Sequence, residues 1–145
     1  MNFLAHLALA APDDDLMAGG FLGDFIKGPV PADWHSGVSQ GVRLHRAIDA
    51  FSDRHAELAR VRAYLPPEWR RYAGIVLDLM TDHCLAAHWN RFSSQPLDEF
   101  VASTEQALAS YTDEAMFTHA GRWQQFWGLI LPHGLLELTA VFVAG

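Results

Sequence analysis

The chain has a single cysteine, Cys84, among its 145 residues. That excludes an internal disulfide and fits a reducing compartment. Cys84 falls in an apolar helical run, which predicts a buried, inert thiol. Positive charge is scarce too. The net charge is −7 with histidine neutral, so non-specific binding to nucleic acid is a poor default. The first residues carry no basic segment ahead of an apolar one, so no secretory signal is read there. Together these points predict a cytoplasmic protein. No stretch alternates strongly between apolar and polar residues, which removes the main signal for strands. Internal repeats, low-complexity tracts, a Walker loop, GxSxG and GxGxxG are all lacking.

What is present suits one helical domain. Apolar residues make up 50% of the chain, enough for a real core, and five Trp and nine Phe supply bulk. The periodicity predicts an all-α fold. Residues 3–10 read as a short apolar helix ended by Pro12. Asp13 to Asp15 supply a cap and first-turn acids for a second helix over 16–27. Ser36 reads as the N-cap of a long helix towards Leu65, with Val42, Leu44, Ile48, Phe51 and Leu58 on its inner face. Pro66 and Pro67 break it. A fourth helix runs from there to about Phe92, and a fifth from Pro96 to Tyr111. Residues 126–145 differ, with one formal charge, Glu137, in 20 residues. Pro132, Gly134 and Glu137 make this a poor single span. It reads either as a core helix or as a membrane-associated segment.

The most informative stretch is residues 72–89. Asp78 and Asp82 stand four residues apart, on one helix face, among apolar neighbours. A buried carboxylate is costly without a cation or hydrogen-bond donors, and two side by side repel each other. A divalent metal is the economical partner. His45 and Asp49 repeat the spacing upstream, so the two helices read as two walls of one site. Asp24, in an apolar stretch rich in glycine, is a further candidate ligand. His6 is weaker, because a lone histidine on an apolar helix is ordinarily a satisfied core residue. His55 and His88 read as surface or packing residues. The neighbouring Asp82-His83 is the doublet of a helical metal-dependent phosphohydrolase superfamily, although adjacent helical residues point about 100° apart. Asp and His without Cys favour Mn²⁺, Mg²⁺ or Fe²⁺ over structural zinc. Such an ion polarises a phosphoryl oxygen and acidifies a water.

Charge is also unevenly placed. Seven arginines lie between Arg43 and Arg71 against four acids, a local excess of three positive charges in an acidic chain. This suggests an acidic partner, or simply a solvated helix face with paired charges. Arg46, beside His45, has the fork that matches two phosphate oxygens. Arg43 and Arg54 are the companion candidates for phosphate or partner binding.

Residues 1–7, 20–28, 41–49, 77–83 and 88–89 together resemble the acyl carrier protein phosphodiesterase family, over about residues 1–111. The resemblance implies a divergent HD-type helical hydrolase. It also implies Mn²⁺-dependent hydrolysis of the phosphodiester that joins 4′-phosphopantetheine to a serine of acyl carrier protein, an acidic partner. By motif it carries over Asp24, His45, Asp49, Asp78, Asp82 and His83 as catalytic positions, with His6 added as a metal ligand. After about Tyr111 the likeness is expected to stop, leaving the bundle without its closing helices, while residues 122–145 resemble a segment of the stage II sporulation protein M family. On that reading 1–111 is the hydrolase domain and 112–145 a divergent tail, and an open bundle would self-associate. The competing readings are an HD-type hydrolase of another small phosphoester and a catalytically impaired, membrane-associated hybrid.

Overall fold

A computed structural model describes residues 2–111. All the regular structure there is helical. The elements are α1 (Phe3–Ala10), α2 (Asp14–Leu22), α3 (Ser36–Arg54), α4 (Ala56–Tyr64), a 3-10 segment (Pro67–Tyr72), α5 (Ala73–Ala87), a 3-10 turn (Trp89–Arg91) and α6 (Leu97–Ser110). The all-α expectation therefore holds. No helix among the described residues is long and apolar enough to cross a membrane. The apolar run 126–145 lies outside the described residues.

Local chemistry explains most of the boundaries. Asp13 caps α2 by accepting from the Leu16 N–H at 2.9 Å, and Asp14 and Asp15 occupy the first turn beside the helix's positive end. The helix stops at Leu22 rather than Lys27, because Gly23 caps it and the chain turns through Asp24. His35, not Ser36, is the N-cap residue of α3, and it makes no side-chain capping bond. The expected long helix to Leu65 is two helices. His55 is extended, at φ −72° and ψ 127°, and its ring accepts from the Glu57 N–H at the start of α4. No proline or glycine marks that break. Downstream, Pro67 opens a 3-10 segment before the α-helix proper begins at Ala73.

The core sits between α1, α2, α3 and α6. The closest contact is α2 against α3, where two glycines face each other. A Cβ on Gly19 would stand 2.1 Å from the Val38 carbonyl oxygen and 2.7 Å from the Gly41 Cα. Only glycine lets the backbones touch there. Val38 and Val42 are fully buried on the α3 side of the seam, and Phe21 and Leu22 on the α2 side. At the other end of α2, the Tyr111 hydroxyl donates to Asp15 Oδ1, while Asp15 Oδ2 meets His35 Nδ1 at 2.9 Å. Burial and the Asp15 carboxylate push the Tyr111 hydroxyl up to about 12, so it remains a donor at neutral pH.

Two expectations about side-chain burial are overturned. Phe51 is exposed, near the C-terminal end of α3. Cys84 is exposed as well, and so are Ile75, Leu79 and Met80 elsewhere on α5. The apolar run of α5 buries only Ala73, Leu77 and Ala86.

Candidate metal centre

On α3 the residues Val38, Val42, His45 and Asp49 fall on one stripe, at i, i+4, i+7 and i+11. The first two are fully buried, His45 is buried, and Asp49 has about half of its side chain exposed (51%). The stripe therefore runs from the core to the surface. It turns from hydrocarbon to imidazole to carboxylate on the way.

α1 supplies the opposing group. Its His6 is buried, next to Leu7, and its ring stacks on that of His45 with centroids 3.9 Å apart and planes at 22°. Both rings turn their Nε2 atoms to the same carboxylate. His6 Nε2 lies 3.1 Å from Asp49 Oδ1, and His45 Nε2 lies 3.2 Å from Asp49 Oδ2. Asp24, in the turn after α2, brings its Oδ1 to 3.8 Å from His45 Nε2. Burial, reinforced by neighbouring His45, holds the His6 pKa below its ordinary 6.5 against the opposing pull of Asp49 and Asp24. His6 is thus neutral at neutral pH, the form in which imidazole binds a cation.

The donor set fits a divalent ion. Single ligand atoms of His6, His45 and Asp49 lie within 4.8 Å of one another. Neighbouring ligands at right angles on bonds of about 2.1 Å stand about 3 Å apart, close to the two His–Asp49 separations. Among the described residues, His6 Nδ1, His45 Nδ1 and Asp24 Oδ2 of the cluster are buried without a hydrogen-bond partner. An unpartnered buried carboxylate oxygen is costly unless a cation or donor meets it. Nitrogen and oxygen ligands without sulfur suit Mn²⁺, Mg²⁺ or Fe²⁺.

The remaining sequence-selected residues are placed differently. Asp82 on α5 accepts from the backbone N–H groups of Leu4 at 3.0 Å and Ala5 at 3.1 Å. These are free donors of the first turn of α1, so Asp82 caps the helix that carries His6. Burial raises the Asp82 carboxyl to about 6, opposed by the two N–H bonds. Asp78 is half-buried one turn earlier, and His83 is exposed. Neither belongs to the group formed by His6, His45 and Asp49.

The arginines divide as well. Arg46 gives both of its bonds from one Nη2, to the carbonyls of Ile26 at 3.0 Å and Gly28 at 2.7 Å. Arg54 donates from Nε to the Ala50 carbonyl, and Arg43 is exposed. The glycine that precedes Asp24 has a part of its own. A Cβ on Gly23 would meet His45 Cγ at 2.3 Å, so the backbone after α2 lies directly on the His45 ring.

Fold and site together define an all-helical protein with a buried His–Asp centre that reaches solvent at one carboxylate. The chain belongs to the acyl carrier protein phosphodiesterase family, whose model matches residues 1–131. The acyl carrier protein phosphodiesterase of Klebsiella pneumoniae (strain 342) is 42% identical over 109 residues, covering 74% of this chain and 56% of the relative. That of Serratia proteamaculans (strain 568) is 34% identical over 140 residues, covering 97% of this chain and 71% of the relative. That of Escherichia coli O9:H4 (strain HS) is 39% identical over 115 residues, covering 78% and 60%. The chain spans little more than half the length of the first of these. The family match continues past residue 111, and the likeness of residues 122–145 to sporulation protein M finds no support. No solved structure matches the chain.

Proposed function

We propose that this chain carries the activity named for its relatives, hydrolysis of the phosphodiester between 4′-phosphopantetheine and a serine of acyl carrier protein. The products are apo carrier protein and 4′-phosphopantetheine. The observation that supports this reading is the grip of Asp49 on two stacked, buried histidines in a chain of that family. His6, His45, Asp49 and Asp24 would hold the cation, Mn²⁺ in the first instance with Mg²⁺ or Fe²⁺ as alternatives. When bound, the ion supplies Lewis acidity at a phosphoryl oxygen and lowers the pKa of a water.

The chain's own residues do the rest. Asp49 is the member of the set with an open side chain, so the substrate phosphate approaches there. His6, buried and held neutral, keeps a lone pair available beside the buried ring of His45. From α5, Asp82 acts through α1 by fixing the turn that precedes His6, while a part for Asp78 and His83 rests on the family motif alone. Arg43 and Arg54, exposed on α3, offer positive charge to an acidic carrier protein in the cytoplasm. Residues 1–111 would form the unit that carries this site.

The test is incubation of the full chain with holo acyl carrier protein and Mn²⁺, followed by mass spectrometry of the carrier. Loss of the phosphopantetheine mass, blocked by a chelator, is the expected result. An unchanged carrier alongside turnover of a small phosphodiester would replace this substrate with another one.

A further inference from the structure

The turn after α2 carries Asp24, and it is pinned at three places. At its start, the N–H groups of Phe25 and Ile26 both donate to the Leu22 carbonyl, at 2.9 and 3.1 Å. At its first residue, the Gly23 backbone lies on the His45 ring, so close that a Cβ there would overlap the ring atoms. At its far end, the Arg46 Nη2 holds the carbonyls of Ile26 and Gly28. Gly28 has φ +84°, a left-handed conformation that favours glycine and turns the chain where its carbonyl accepts from Arg46. Arg46 therefore follows His45 in sequence on α3 and fastens the loop that brings Asp24 to His45.

Asp24 needs such fastening. Its Oδ1 is 3.8 Å from His45 Nε2, beyond a hydrogen bond, and its Oδ2 is buried without a partner. Among the described residues no hydrogen bond holds the side chain there, which leaves the backbone to place it. A charged guanidinium donating to two carbonyls is a strong restraint on a six-residue turn.

We propose that Arg46 is a positioning residue, which holds the 23–28 turn against α3 so that Asp24 joins His6, His45 and Asp49 around one divalent cation. This rests on the reading of that cluster as a metal centre. It assigns Arg46 a task other than phosphate binding.

A double-mutant cycle on the full chain tests it, with Mn²⁺ alone as the probe and the electron paramagnetic resonance signal of free Mn²⁺ as the readout. Loss of an outer partner costs about 10–100-fold in metal affinity. Arg46→Ala is expected to weaken Mn²⁺ binding about tenfold in the native background and by less than about twofold once Asp24→Asn is present. Arg46→Lys, which keeps the charge but not the fork, is expected to fall between. If Arg46→Ala does not fold, the same cycle run with Arg46→Lys decides the matter. Equal loss in both backgrounds would mean a general structural role and overturn the proposal. A gain in affinity would show the guanidinium acting only by repelling the cation, and would also overturn it. If the native chain binds no Mn²⁺, the metal centre itself fails and takes this inference with it.

Discussion

The rings of His6 and His45 stack at 3.9 Å, and both present Nε2 to the two oxygens of Asp49. Two imidazoles so close repel each other when both are charged, and His45 is one of the groups that hold the His6 pKa down. Asp49 is thus the residue of the proposed centre whose change should affect metal binding most. Asp49→Asn removes the charge and one oxygen while keeping the shape. Its loss of Mn²⁺ affinity should exceed the about 10–100-fold typical of outer partners. Isothermal titration calorimetry against the native chain measures it, and an unchanged affinity would remove Asp49 from the centre.

Asp82 makes a pH-dependent contribution to stability whose sign is fixed by its raised pKa. Its ordinary value is 3.8 and its folded value is about 6, so the folded state binds the proton more tightly. The contribution is fully present below about pH 4 and is lost as pH rises through about 6. The shift corresponds to about 2–3 kcal/mol. Asp82→Asn does not titrate. The stability of the native chain minus that of the variant should therefore fall by roughly that amount between about pH 4 and 7. Urea denaturation at a series of pH values reads it, and a constant difference would contradict the burial assigned to this carboxyl.

The Gly19–Gly41 contact should tolerate no side chain. Gly19→Ala places a methyl group 2.1 Å from a backbone oxygen of α3, where no flexible group can give way. Overpacking of this kind costs about 1–3 kcal/mol, and a backbone clash belongs at the upper end. The variant should also bind Mn²⁺ more weakly, since Asp24 lies in the turn after α2 and His45 on α3. A melting temperature equal to that of the native chain would disprove the close approach.

Cys84 should react as a surface thiol. Native protein is expected to be labelled to one equivalent by a disulfide reagent without denaturant, at a rate close to that in urea. Protection in the native state would restore the buried thiol that the apolar flanks of α5 suggest.

Much of the helical layout is legible in the sequence, because caps and prolines act locally. Asp13 before α2 and the prolines at 66, 67 and 96 mark boundaries that the structure keeps within a few residues. The break at His55 is not legible, since it involves neither glycine nor proline and rests on a ring nitrogen capping α4. At the site, spacing identifies His45 and Asp49 as one face of α3, but it undervalues His6. A lone histidine on an apolar helix looks like core until α1 is laid against α3. The pairing of Asp78 with Asp82 by spacing is sound as helix geometry, yet Asp82 spends its oxygens on backbone donors 77 and 78 residues away. No local rule reaches that far. The same holds for Arg46, whose fork is chemically suited to phosphate but meets carbonyls supplied by a distant turn.

His6 and His45 are proposed to hold one divalent ion between them. Electron spin-echo modulation of the Mn²⁺-loaded chain tests it most directly, because imidazole nitrogens bound to Mn²⁺ modulate the echo. The account predicts coupling to two such nitrogens, reduced to one in His6→Gln and in His45→Gln. Mn²⁺ bound with no nitrogen coupling, or coupling unchanged in both variants, would contradict it.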